Sequence, residues 1–164
     1  MLLSVRPLRP GEARRYLEIH RAAVRGIASN DYPARVIDAW APVPIADADV
    51  QAIEDDQTEI RLIAELDGEP VGMGAFVPQH SELRACYVAP AAARKGVGRA
   101  LVNEIERRAR AAGLSELHLV SSLTAERFYA DLGYQVLGQT EHVLHSGARM
   151  PAVHMRKDLE TGAA

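Results

Sequence analysis

Glu82-Leu83-Arg84-Ala85-Cys86-Tyr87-Val88-Ala89-Pro90, followed by Ala91-Ala92-Ala93-Arg94-Lys95-Gly96-Val97-Gly98, carries the reading of the fold. The apolar and aromatic run from Glu82 to Val88 predicts a strand, and Ala89-Pro90 ends it. Ala91 to Lys95 is a loop of small and basic residues, and Gly96-Val97-Gly98 opens a helix. That helix has its apolar line at Val97, Leu101, Ile105, Ala109 and Ala112, with Gly113 placed to close it. A loop entering a helix at Gly96-x-Gly98 leaves backbone N–H groups pointing out of the helix start. With the positive end of the helix dipole they make a site for phosphate or pyrophosphate, and Arg94 and Lys95 add charge beside it. A Cβ at either glycine would hold a phosphate away from the backbone. The same Gly-x-Gly also has an ordinary capping reading. There is no G-x-x-x-x-G-K-[ST] loop, and the dinucleotide pattern fails because Leu101 stands where a third glycine is needed.

Upstream, Glu59 to Leu66 and Pro70 to Val77 flank Asp67-Gly68, a hairpin signature. Leu2 to Leu8 reads as a first strand. Apolar residues at Ala13, Tyr16, Leu17, His20, Ala23, Val24 and Ile27 predict an amphipathic helix stopped by Ser29-Asn30-Asp31. Pro33 suits the first turn of a second helix running to Trp40, and Asp47 caps a short turn through Ile53. Downstream come a strand over Glu116–Ser121, a short helix from Thr124 to Leu132, and strands around Tyr134–His145 and Pro151–Lys157. The order predicts an α+β fold: a mixed, largely antiparallel sheet of about seven strands with about four helices on its faces. Residues 1–159 read as one domain and 160–164 as a frayed tail.

The 164 residues suit one core without disulfides or a structural metal. A net charge of −3 supplies no broad basic field for nucleic acid or anionic membrane. Cys86 is the one cysteine, which excludes an internal disulfide and a Cys-rich zinc site. Arg6-Pro7 breaks the first apolar run too early for a signal peptide, and no run approaches the ~18 apolar residues of a membrane span. A cytoplasmic protein is expected.

Leu83-x-x-Cys86-Tyr87-Val88-x-Pro90 with Arg94-Lys95-Gly96-Val97-Gly98-Arg99-Ala100-Leu101 resembles the acetyl-CoA-binding signature of the GNAT superfamily. A second signature, Ser122-x-x-Ala125-x-x-Phe128-Tyr129-x-x-x-Gly133-Tyr134, follows at the matching distance. The resemblance spans Ile60 to Gln135, and Asn30-Asp31-Tyr32-Pro33 to Trp40-Ala41-Pro42 is similar to uncharacterised bacterial members. It implies that the strand carrying Cys86, Tyr87 and Val88 splays from its neighbour, so that its freed backbone pairs with the pantetheine arm of acetyl-CoA. One freed N–H polarises the thioester carbonyl. Arg94, Lys95, Gly96, Val97, Gly98 and Arg99 hold the pyrophosphate, and Tyr129 donates a proton to the departing CoA thiolate. Some relatives carry a glutamate base at the start of the splayed strand, a position that falls on Glu82. Two residues depart from the pattern: Ala93 replaces the first loop residue, usually Gln or Arg, and Ser122 replaces an Asn. Ser122 either bonds CoA or caps the next helix. These domains often pair as homodimers through their late strands.

Each of these residues also has a plainer reading. Tyr129 shares a helix with Ala125, Phe128 and Leu132, where spacing alone makes it core. Glu82 also reads as a solvated strand-end carboxylate, and Cys86 as a small buried hydrophobe rather than an acyl carrier. His142, His145 and His154 are too loosely spaced to read as a metal set. His20, Tyr32 and Trp40 either pack in the core or wall an acceptor cleft. The expectation is an acetyl-CoA-dependent N-acetyltransferase acting on a primary amine, with no metal. Its rival is a CoA-binding regulatory module that kept the pocket and lost catalysis.

Overall fold

A computed structural model describes residues 1–160. Of the tail expected from Glu160 onward, residues 161–164 lie outside the described residues. At the hairpin, Asp67 and Gly68 have φ of 52° and 86°, both left-handed, as a two-residue turn between twisted strands requires. The turn joins β2 (Ile60–Leu66) to β3 (Glu69–Val77), antiparallel from Leu66↔Glu69 to Ile60↔Phe76. β1 (Leu3–Pro7) adds to the free edge of β2, and β4 (Glu82–Val88) to that of β3. With β5 (Glu116–Ser122), β6 (Gln135–Val143) and β7 (Arg149–Asp158) the sheet has the order β1-β2-β3-β4-β5-β7-β6. It is the expected α+β sheet, antiparallel at every step except β4–β5.

That exception creates the site. β4 and β5 run parallel and pair only at Glu82↔His118, where the His118 N–H donates to the Ser81 carbonyl (2.8 Å). Beyond this point they splay. Arg84 is an extra residue on β4 between the pairs Ala75↔Ala85 and Phe76↔Leu83, and such a bulge bends its strand. β5 is meanwhile held straight along its other edge by β7, from Glu116↔Asp158 to Ser122↔Ala152.

Helices cover both faces. α4 (Val97–Ala111) and α5 (Glu126–Asp131) pack with Leu62, Phe76, Leu83, Leu117, Leu119 and Met155. Gly72 lets α4 settle close to β3, since a Cβ there would stand 2.8 Å from Val97 Cγ1. On the other face α1 (Ala13–Gly26) lays Tyr16 and Ile19 against Ile63 and Met73. α2 (Ala34–Trp40) packs Val36 and Ile37 with Val24, Leu144 and Met150.

Several expectations need correction. The turn after Pro44 is a full helix, α3 (Asp47–Asp55). Ala46 is its N-cap, so the Asp47 carboxylate is free to pair with Arg14 instead of capping. Among the described residues the α-helices therefore number five. Ala112 is exposed because α4 has ended before it. Ile27 lies just past α1 and is exposed, while Ile19, absent from the expected apolar line, is buried. The sequence pattern also gave no sign that Glu106 of α4 is buried, at 4% exposure. Its carboxylate accepts from Lys157 Nζ (3.0 and 3.1 Å) and from the Tyr134 hydroxyl (3.1 Å). Lys157 Nζ also donates to the Leu132 carbonyl at the end of α5 (2.8 Å).

Candidate active site

The loop from Pro90 to Gly96 ends in two left-handed residues, Arg94 (φ 61°) and Gly96 (φ 81°). This arrangement turns consecutive N–H groups to one side. Helical bonding starts only with the Ala100 N–H to the Gly96 carbonyl (3.0 Å). Among the described residues no acceptor meets the backbone N–H groups of Arg94 through Arg99. A row of unpaired donors at the start of a long helix is an anion cradle.

The two glycines serve it for different reasons, which corrects the expectation of one shared role. Gly96 has open space where a Cβ would go, and its positive φ is what favours glycine. At Gly98 a Cβ would stand 3.0 Å from Phe128 Cζ and 3.1 Å from Cε1, so glycine there seats α5 against α4. Gly98→Ala displaces only a ring tip and is expected to weaken CoA binding a few-fold. Gly98→Asp adds a carboxylate at the cradle and is expected to weaken it by at least about 100-fold. Calorimetric titration of the three proteins with CoA reads both; equal losses for Ala and Asp would place the anion elsewhere.

Above the cradle, β4 opens towards β5. The Ala89 N–H to Val71 carbonyl bond (2.8 Å) fixes the alternation of the β3–β4 ladder. By that alternation Tyr87 bonds to β3, while Cys86 and Val88 turn their N–H and C=O groups into the wedge. A cavity of about 420 Å³ lies there. Its walls include Cys86, Val88, Gly96, Gly98, Ser122 and Phe128, with Val24, Ile27 and Trp40 across from them and Arg94 and Arg99 at its mouth. Lys95 is exposed and does not line it. Ala93 does, presenting only a methyl group. Ser122 lines the cavity, and its hydroxyl accepts the Ala125 N–H (3.2 Å) ahead of α5. The Cys86 thiol donates to the Gly98 carbonyl (3.7 Å), and burial pushes its pKa up to about 12. Burial thus favours the neutral thiol.

A sequence model of the Acetyltransferase (GNAT) family matches residues 21–134. The chain belongs to the GNAT acetyltransferase family. It is similar to the uncharacterised N-acetyltransferase YafP of Escherichia coli K12, 26% identical over 155 residues that cover 94% of this chain and 95% of that one. A GCN5-related N-acetyltransferase from Rhodopseudomonas palustris, also described as a class-II aminotransferase, superimposes with a TM-score of 0.86 at 28% identity. That match covers 97% of this chain and 99% of the other. The putative acetyltransferase yncA of Salmonella typhimurium, solved with its cofactor acetyl-CoA, superimposes with a TM-score of 0.69 at 21% identity, covering 99% and 96%. The protein is thus an acyl-CoA-dependent acetyltransferase with a GNAT fold.

Within this GNAT framework Tyr129 sits on α5 at 6% exposure, with its ring 5.1 Å from Phe128 and 5.9 Å from Tyr134. It lies one residue behind the cavity wall formed by Ala125 and Phe128. Its hydroxyl makes no hydrogen bond with a described residue. Burial first, then the neighbouring Cys86, Tyr87 and Tyr134, hold its pKa well above the ordinary 10. Glu82 lies elsewhere, at the closed end of the wedge. Its carboxylate accepts from Arg84 Nε (3.0 Å) and Nη2 (2.6 Å), and it lines neither cavity.

The second cavity, about 650 Å³, lies on the α1 side of the same GNAT sheet. Leu17, His20 and Arg21 of α1, Asp38 and Trp40 of α2, Arg84 and Tyr87 of β4, and the stretch from His142 to Ser146 line it. Trp40 and Tyr87 line both cavities, with ring centroids 6.1 Å apart and edge to face. Tyr32, considered as a cleft wall, instead ties α2 down. Its hydroxyl donates to the Pro151 carbonyl (2.6 Å) and accepts the Leu123 N–H (2.8 Å). Sequence reasoning passed over Arg21, Asp38 and the wall from α3, because surface charges on an amphipathic helix carry no sign of facing a cleft. The His118–His154 contact (3.3 Å) was also invisible, since it joins strands 36 residues apart.

Proposed function

We propose that the chain transfers the acetyl group of acetyl-CoA directly to a primary amine of a small molecule or peptide, with both substrates bound at once. The observation that carries this is the meeting of two cavities at Trp40 and Tyr87 over the splayed end of β4. One cavity opens at a cradle of unpaired N–H groups suited to a pyrophosphate; the other is walled by a mixture of apolar, aromatic and charged groups. The acetyl-CoA held by the Salmonella protein and the coenzyme A held by the PaiA N-acetyltransferase of Thermoplasma acidophilum support the same co-substrate here.

In this reading the pantetheine arm lies along β4 and bonds to the turned-out groups of Cys86 and Val88. The neutral amine enters from the second cavity and forms a C–N bond at the thioester carbon. Negative charge developing on the carbonyl oxygen is met by a free N–H of β4. The C–S bond then breaks, the thiolate takes the Tyr129 proton, the amine's surplus proton leaves to solvent through the second cavity, and solvent returns a proton to Tyr129. In this reading no step is assigned to Glu82, whose carboxylate is engaged by Arg84 and lines neither cavity. The test is thiol release from acetyl-CoA across a panel of primary amines, paired with a thermal-shift titration by acetyl-CoA alone. Acetyl-CoA-dependent stabilisation with amine-dependent thiol release is expected. Stabilisation with no transfer to any amine would sink the catalytic reading, and no stabilisation would sink the cavity assignment.

A further inference from the structure

Two of the four charged side chains that line the second cavity, Arg84 and Asp38, are matched. Arg84 is held by Glu59 (2.7 Å) and Glu82 (2.6 Å), and Asp38 by Arg25 (3.0 Å). On α1, Glu18 is the partner of Arg15 (3.7 Å). Asp49 is exposed at the rim, and His142 and His145 face the cavity from its far wall. Arg21 stands apart. It is half-buried, lines the cavity, and has neither ion pair nor hydrogen bond among the described residues. Its neighbour His20 faces the junction of the two cavities, edge to face with Tyr87 at 4.7 Å and with Trp40 at 6.2 Å. No described residue bonds to its ring nitrogens. Burial lowers its pKa to about 4, so the imidazole is neutral at working pH with a lone pair to offer.

A guanidinium beside an amine site repels an ammonium ion, so Arg21 alone would discourage a simple alkylamine. It becomes an attraction when the same molecule carries an anion, for which a guanidinium is the natural partner. The apolar part of the wall, with Leu17, Trp40, Ile45 and Leu144, suits an apolar body. We propose that this cavity takes a small amine that also bears a carboxylate on an apolar body, an amino-acid type of acceptor. Arg21 holds the carboxylate and His20 accepts a hydrogen bond from the amine. The inference rests on the acetyl-transfer reading above and narrows its acceptor.

The test compares matched acceptors, phenylalanine with phenethylamine and leucine with isopentylamine, on the wild type, Arg21→Gln and Arg21→Glu. The wild type is expected to favour the carboxylated member in kcat/KM. Arg21→Gln is expected to shrink that preference by about 10- to 100-fold, chiefly through KM. Arg21→Glu is expected to invert it. Calorimetric titration with the N-acetylated amino acids reads the same site without turnover, and their affinity should fall in both variants. A wild type that favours the decarboxylated amines, an Arg21→Gln protein that loses both members equally, or no binding of any N-acetyl amino acid would overturn the inference. Those outcomes leave acetyl-CoA binding and transfer to other amines intact. Failure of the acetyl-transfer reading shows separately, as loss of acetyl-CoA binding or of all transfer.

Discussion

Tyr129→Phe should leave the fold and acetyl-CoA affinity intact while lowering turnover by about 10²–10³. The ring is packed between Phe128 and Tyr134, and Phe keeps that packing. The hydroxyl has no partner among the described residues, so its removal strands no donor or acceptor in the core. What it removes is a proton held beside the free edge of β4. Burial, reinforced by Cys86, Tyr87 and Tyr134, favours the neutral phenol and lifts its pKa well above 10. The group is therefore fully protonated across the working range, and it ionises only as pH rises beyond its raised value. Wild-type turnover should fall on that alkaline limb, and the Phe variant should lack it. Single-turnover rates and a pH–rate profile for both proteins check this. A variant with near wild-type turnover on a good acceptor would leave Tyr129 as packing alone, and water would be the proton source.

Glu106→Ala should destabilise the protein by about 3 kcal/mol without touching either cavity. Glu106 is buried on α4, and removing it strips the Lys157 ammonium of its carboxylate and the Tyr134 hydroxyl of its acceptor. Lys157 would keep only the Leu132 carbonyl. Breaking one side of such a pair costs more than the pair contributes, because the remaining charge stays poorly solvated. For a domain of this size the melting temperature should drop by roughly 6–12 °C. Replacing both partners, as Glu106→Leu with Lys157→Met, should recover much of the loss. Denaturant unfolding of the single and double variants decides it: a single variant within about 0.5 kcal/mol of wild type would mean that water reaches Lys157 freely.

The sequence by itself determined most of the elements and the family. Asp67-Gly68 demanded a hairpin and Ala89-Pro90 ended a strand. Gly96-x-Gly98 opened a helix with free N–H groups, because each of these depends on local backbone conformation. The linked motifs around Cys86 and Tyr129 placed the chain in its family for the same reason: their spacing is written along the chain. Tertiary structure alone decided the rest. It made β4–β5 the single parallel step, splayed by the Arg84 bulge while β7 held β5. It turned Gly98 into a seat for Phe128, buried Glu106 against Lys157, and set Arg21 and His20 on the wall of a cleft shared with β4 and α2. Each of these depends on which distant segments meet. Residue pattern along one helix records that a side chain is charged or apolar, but its partner 50 or 100 positions away is fixed only when the sheet closes around it.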